Sequence, residues 1–457
     1  MTASVAPTHN ACLHRFAALT ALATLGLIGI GGLVTSHGAG MAVPDWPNTN
    51  GYNMFFFPIS QWMGGIFYEH THRLAASAVG LLTVVLALWL YGRSAQPFMR
   101  WTGAVLLLLG AGTVMALPRR WTDGSVLALT GLALLGASCV WPRCEPSAKW
   151  LKRLGLAAFF AVVLQGVLGG LRVVLFKDAL GIFHATLAQL FFVLVCAIAL
   201  FTSRWWQTAR TGRGSPWCGR SAAFRLQSAG IEEGVGRSPE PQPGPALLQP
   251  EGCAPMLPRA LSSHLSTLYL LSTLLILAQL TLGAAMRHQH AGVAIPDFPL
   301  AYGKLWPAMD ADSVARYNQQ RIEIVDANPI TAFQIGLQMI HRFCAMAILA
   351  AVAYAAWTTR RALGGKNYLS RLALVWLGAI LTQVLLGAAT IWSNKAADIA
   401  TAHVLVGALS LALGAILSIV SYRELMFAYR ETDLSTVTDA GSMPKLNPLP
   451  SGATGLL

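Results

Sequence analysis

The chain has 457 residues, of which 55% are hydrophobic and only 11% charged. Soluble domains carry about 25% charged residues, so the composition excludes an ordinary globular protein and points to long membrane-spanning segments. The net charge of +13 sits in short basic segments between apolar runs, with no basic stripe interleaved with aromatics, which argues against nucleic acid as a partner.

The first apolar run, Phe16 to Val34, follows His14-Arg15. It is long enough to span a bilayer and reads as a helix over 15–35 rather than a cleaved leader. Further apolar segments predict helices over 68–92, 100–117, 124–142, 151–172 and 180–203. Residues 204–260 then change character: GRGSPWCGRS and EGVGRSPEPQPGP are rich in Gly, Pro, Ser and Arg, the composition of a disordered linker. A second group of helices is predicted over 262–285, 331–358, 368–391 and 399–422. The expected organisation is a tail over 1–14, a bundle over 15–203 with an inserted hairpin near 100–142, a linker over 204–260, a second bundle over 261–426 and a tail over 427–457. The fold class is an all-α integral membrane protein of eight to ten transmembrane helices.

Lys and Arg orient the chain. Segment 36–67 has none, whereas 143–153 carries Arg143, Lys149, Lys152 and Arg153, and 359–371 carries Arg360, Arg361, Lys366 and Arg371. The positive-inside rule puts 36–67 outside and both termini in the cytoplasm, in a cell (inner) membrane. The seven cysteines form neither CxxC nor CxxCH and read as packing residues.

The chain repeats itself. GAGMAVPDWPNTNG follows the first helix of the first group, and HAGVAIPDFPLAYG follows the first helix of the second. His72-Arg73 matches His341-Arg342; LQGVLGG precedes His184 as TQVLLGA precedes His403. Three landmarks in one order indicate a duplicated four-helix unit, with 100–142 present only in the first copy.

Each unit thus holds two histidines near the outer ends of its second and fourth helices. Helical rise gives the two members of each pair equal depth. A histidine at membrane depth is expensive without a partner, and facing pairs in a helical bundle suit the two axial positions of a haem iron. His72 with His184, and His341 with His403, are therefore candidate iron ligands; zinc or copper would need more donors per site. His70 projects away from His72 and has no counterpart in the second unit. His37, His288 and His290 read as solvated or packing residues of the outer loops, with approach to a haem edge as the alternative for His288 and His290.

The units differ at Glu69, one turn before His72, where the second unit has Gln338. A carboxylate can handle a proton or stabilise positive charge beside a haem edge, and an amide cannot. Chemistry is therefore expected at the first site. Arg73, Arg172 and Arg342 are candidate partners of haem propionates, with interfacial snorkelling as the alternative. Asp45 and Asp297, in the PDWP and PDFP turns, have no clear chemical role.

GAGMAVPDWP, EHTHRLAASAVG, LGGLRV, HATLAQLFF and their second-half counterparts resemble the haem A synthase family, across both bundles. The resemblance implies oxidation of the C8 methyl group of haem O to the formyl group of haem A, with water as oxygen source, in cytochrome oxidase assembly. It implies that His72 and His184 face the substrate haem, that His341 and His403 hold a haem b cofactor, and that Glu69 is catalytic. It also implies haem O synthase as supplier and an electron acceptor of unknown identity. Two features depart from the family: segment 36–67 lacks a cysteine pair, and the hairpin and linker enlarge the usual eight-helix layout. The alternatives are a bis-histidine electron-transfer cytochrome b and a haem exporter or chaperone; no WxWD-like outer motif supports the latter.

Overall fold

A computed structural model describes residues 10–142, 147–208, 259–320 and 329–440. The first half comprises α1 (Ala11–Ser36), α2 (Gly64–Tyr91), α3 (Ala95–Ala116), α4 (Trp121–Val140), α5 (Lys149–Leu175), α6 (Asp178–Thr202) and a short α7 (Arg204–Thr208). The second comprises α8 (Arg259–His288), α9 (Ala311–Gln319), α10 (Ala332–Leu363), α11 (Tyr368–Trp392) and α12 (Ala397–Ala440). Nine stretches among the described residues are long and apolar enough to cross a membrane, one of which, Gly64–Ala116, contains both α2 and α3. The protein is an all-α, multi-pass membrane protein.

Many hydroxyl side chains within the helices bond to a carbonyl of the preceding turn. Thr20, Thr24 and Thr83 donate to the carbonyls of Phe16, Thr20 and Val79, and Ser410 to that of Val406. Some helix starts carry side-chain caps, whereas those of α2, α5 and α6 do not. Asn10 caps α1, Asn367 caps α11, and Thr331 with Gln334 forms a capping box on α10.

In the first unit α1 packs on α2, α2 on α5, α5 on α6 and α6 on α1. In the second, α8, α10, α11 and α12 close the same ring. The units meet through first and fourth helices, α1 against α12 and α6 against both α8 and α12. Each unit fills its inner half with a core: Leu86, Leu90, Leu151 and Ile198 in the first, Tyr269, Val352, Trp376 and Leu417 in the second. The outer halves are left hollow.

Three boundaries differ from the sequence expectation. The hairpin is longer: α3 starts at Ala95, and α3 and α4 approach backbone to backbone, so that a Cβ on Gly103 would lie 2.9 Å from the Gly131 carbonyl oxygen. α12 runs to Ala440, into the span expected to be a tail; no Pro or Gly interrupts it from Ile416 to that point. The expected linker opens with α7, whose Trp205 and Trp206 lie under the Arg423 guanidinium. The rest of 204–260 before Arg259 lies outside the described residues, as do the outermost parts of both tails.

Candidate functional site

The hollow outer halves join in one cavity of about 1230 Å³, and His72, His184, His341 and His403 all line it. α2 and α10 deliver the first histidine of each pair, α6 and α12 the second.

His72 and His184 face each other with ring centroids 6.5 Å apart and planes at 76°. Two imidazoles that bind one iron at about 2 Å place their centroids about 6.3 Å apart, so the spacing suits a single metal atom between them. A glycine on the neighbouring helix lies behind every one of the four rings. A Cβ added at Gly31, Gly169, Gly283 or Gly387 would come within 3.1, 3.2, 3.3 and 3.2 Å of Cε1 of His72, His184, His341 and His403 respectively. The Nδ1 atoms of all four rings are buried without a hydrogen-bond partner.

Glutamines one turn from three of these glycines complete the frame. Gln165 Nε2 donates to the His184 carbonyl at 3.0 Å, and Gln279 Nε2 to the His341 carbonyl at 2.9 Å. Gln383 Nε2 lies 3.3 Å from His403 Nε2. α1 has Leu27 at the corresponding place. This Gln-x-x-x-Gly frame was visible in the sequence at 165–169 and 383–387, but its copy at 279–283 was missed. No cluster of three or more His, Cys, Asp or Glu fit to hold a metal ion exists among the described residues. Two nitrogen donors suffice where a macrocycle supplies the other four, so the donor set fits haem at both pairs.

Glu69 lines the cavity and is only 4% exposed. Its Oε2 accepts from the Val43 N–H at 2.9 Å, and its Oε1 pairs with Arg73 Nη2 at 2.8 Å. Arg73 also donates to the carbonyls of Val43, Asp45 and Asn48, so its four Nη protons are taken by protein acceptors. Arg342 likewise donates to the carbonyls of Asp297 and Leu300. Both arginines, expected as propionate partners or snorkelling cations, hold the outer loops; Arg342 also lines the cavity and keeps its Nε buried without a partner. Asp45 and Asp297 gain a role here. Asp45 accepts from Asn50 and Gly51 N–H, and Asp297 from Tyr302 and Gly303 N–H, closing the turns in which these residues have positive φ.

Arg172, on the last turn of α5, lines the cavity with its guanidinium against Gly40. Two cationic wall residues were missed in the sequence, Arg287 and Lys395. Arg287 reaches from α8 across to α1, donating to the Gly32 carbonyl at 2.9 Å and to the Ser36 hydroxyl. A cation near the end of an apolar helix was the available signal. His288 and His290 also line the cavity, the His288 ring over Gly181 of α6 and His290 exposed. His37 stacks on Tyr68 at 4.2 Å. His70 is fully buried, bonded to Thr49 and set against Phe57 and Trp62, and anchors the outer loop.

Residues 246–415 match the model of the family described as cytochrome oxidase assembly protein, COX15-CtaA. The match covers the second bundle from α8 into α12. A comparison with curated proteins finds no match.

Proposed function

We propose, for a chain whose residues 246–415 match the model of the cytochrome oxidase assembly family, that it is a haem A synthase of the cell membrane. The reaction converts a ring methyl group and one water into a formyl group, releasing four electrons and four protons. His72 and His184 bracket the iron of the substrate haem O. Glu69, fixed by Val43 N–H and Arg73, presents a carboxylate to the cavity at a set point, where it stabilises positive charge developing at the methyl carbon. Arg172 and Arg342, both on the cavity wall, are the sequence-expected cations for propionates. His341 and His403 hold a haem b, which when bound supplies one-electron acceptance. Haem O synthase is the source of the substrate, and the termini lie in the cytoplasm.

The spacing of the His72 and His184 rings, 6.5 Å across a cavity that Glu69 also lines, carries this reading. The test is expression with a haem O source and identification of the extracted haems by mass. Haem bearing the formyl group is expected; recovery of unmodified haems alone would favour a bis-histidine cytochrome and overturn the assignment.

A further inference from the structure

Three of the four histidines are braced by an amide from the neighbouring helix, and one is not. Gln165 of α5 donates to the carbonyl of His184 at 3.0 Å, and Gln279 of α8 to that of His341 at 2.9 Å. Gln383 of α11 lies against the ring of His403, nitrogen to nitrogen at 3.3 Å. Each of these glutamines stands four residues before the glycine that backs the same imidazole. α1 keeps that glycine, Gly31 behind His72, but has Leu27 in place of the amide. Leu27 lines the cavity and packs on the first bundle's core. An alkyl side chain has no proton to donate to the turn of α2 that carries His72.

α2 is also the less firmly seated of the two equivalent helices. In the register of the paired histidines, Gly80 stands where α10 has Leu349. Leu349 packs on the second bundle's core, whereas a Cβ added at Gly80 would meet no atom within 4 Å. A hydrogen bond to a metal-binding residue orients its donor atom and stiffens it, and losing such a bond weakens metal binding about tenfold or more.

We propose that His72 is the releasing ligand of the first site: its bond to the substrate iron opens and re-forms, while His184, braced by Gln165, holds on. The inference rests on the proposed binding of a substrate haem between these two rings. When the bond opens, the lone pair stays on the imidazole nitrogen and the iron becomes five-coordinate, with no change of oxidation state. A substrate must leave after each turnover, and a macrocycle gripped from both faces leaves only after both bonds have opened. A cofactor stays, and both histidines of the second site carry the brace. The open position lies on the α2 side, where Glu69 also lines the cavity. Leu27 sets this difference, and Gln165, Gln279 and Gln383 are positioning residues that act through the histidines.

Each site is read in the full-length chain in lipid nanodiscs with the other site stripped of its histidines, by His341→Ala with His403→Ala or by His72→Ala with His184→Ala. Both are loaded with haem b. Transfer to excess apomyoglobin, and carbon monoxide binding to the reduced protein, are followed by the Soret band. The first site is expected to release haem about tenfold faster than the second and to bind carbon monoxide at a higher rate. Leu27→Gln, which copies α8, is expected to remove most of that difference. Gln279→Leu, which copies α1, is expected to speed release from the second site about tenfold. A first site that releases haem no faster than the second, or an unchanged rate in either variant, overturns the releasing ligand and leaves the proposed function standing. If Leu27→Gln takes up no haem, Gln279→Leu decides alone, and an unchanged rate there overturns it. A first site that takes up no haem in the wild-type frame overturns both.

Discussion

The two outer loops are held by the same backbone atoms and different side chains. In the second unit Gln338 engages both groups of Ile295: its Oε1 accepts from Ile295 N–H at 2.7 Å and its Nε2 approaches the Ile295 carbonyl at 3.3 Å, while Arg342 holds Asp297 and Leu300 further along. In the first unit the equivalent Val43 offers the same N–H and carbonyl, but a carboxylate accepts the former and Arg73 must be recruited for the latter. An amide is thus sufficient to fasten this loop to this helix, and a buried ion pair is a costly way to achieve the same fastening. Folding does not explain why the first unit has Glu69. The comparison supports a chemical reason for the charge, and it shows how to remove the charge without removing the clamp.

The sharpest way to break the symmetry of the two units is to delete one histidine from each. His184→Ala is expected to abolish formyl product and leave the second haem in place. His403→Ala is expected to empty the second site while haem O still enters the first. Haem extraction with optical spectra of the purified variants checks both, and loss of both haems from either variant would contradict independent sites. Next in size is Glu69→Gln, which gives the first unit the clamp of the second. We expect a folded protein with both haems bound and product formation reduced about a hundredfold or more, the scale of a lost electrostatic contact to a transition state. Glu69→Ala should add a structural defect of about 1–3 kcal/mol, because it strands the buried Val43 N–H. Wild-type turnover in Glu69→Gln would remove the carboxylate from the chemistry.

What was legible in the sequence follows from which interactions leave a trace in side-chain identity. His72 and His184 were legible because ionisable residues are rare in apolar helices and because a second copy repeats them. The roles of Arg73 and Arg342 were not: their partners are backbone carbonyls, which every residue has, so nothing in the sequence separates a loop clamp from a propionate ligand. Asp45 failed for the same reason, since it bonds to main-chain N–H groups six residues or fewer away. Gly31 and Gly283 were hidden among many helical glycines; only the ring packed against each distinguishes them. The start of α3 at Ala95 was missed because Pro97 and Arg100 interrupt the apolar run, although a proline in the first turn is compatible with a helix.

Two smaller changes sharpen the comparison from the other side. Gln338→Glu replaces the amide N–H groups facing the carbonyls of Gly292 and Ile295 with acceptors. We expect a loss of about 1–3 kcal/mol, since buried acceptors would then face each other unless Arg342 turns to pair as Arg73 does. Thermal unfolding checks the size, and gain of product at the second site would show that a carboxylate is enough to confer the chemistry. Gly169→Ala and Gly387→Ala push a methyl group against His184 and His403 at 3.2 Å. Each is expected to weaken haem retention in its own unit about threefold to tenfold, as overpacking against a fixed ring does. Equal effects on both sites from either variant would mean that the cavity responds as one body.

The smallest effect expected lies in the loops themselves, where the units part company. The first loop is apolar, with Phe55, Phe56, Ile59 and Met63 exposed, whereas the second contains α9, capped by Asp310. The Ser313 N–H bonded to Asp310 holds its carboxyl below the ordinary carboxylate range. A carboxyl depressed on folding stabilises its helix above its unfolded pKa of about 3.9, and the contribution disappears as pH falls through the folded value. Amide exchange at Ser313 should therefore accelerate below pH about 4, and Asp310→Ala should show the fast rate at every pH. A slow rate retained in Asp310→Ala would show that the carboxylate does not hold the Ser313 amide.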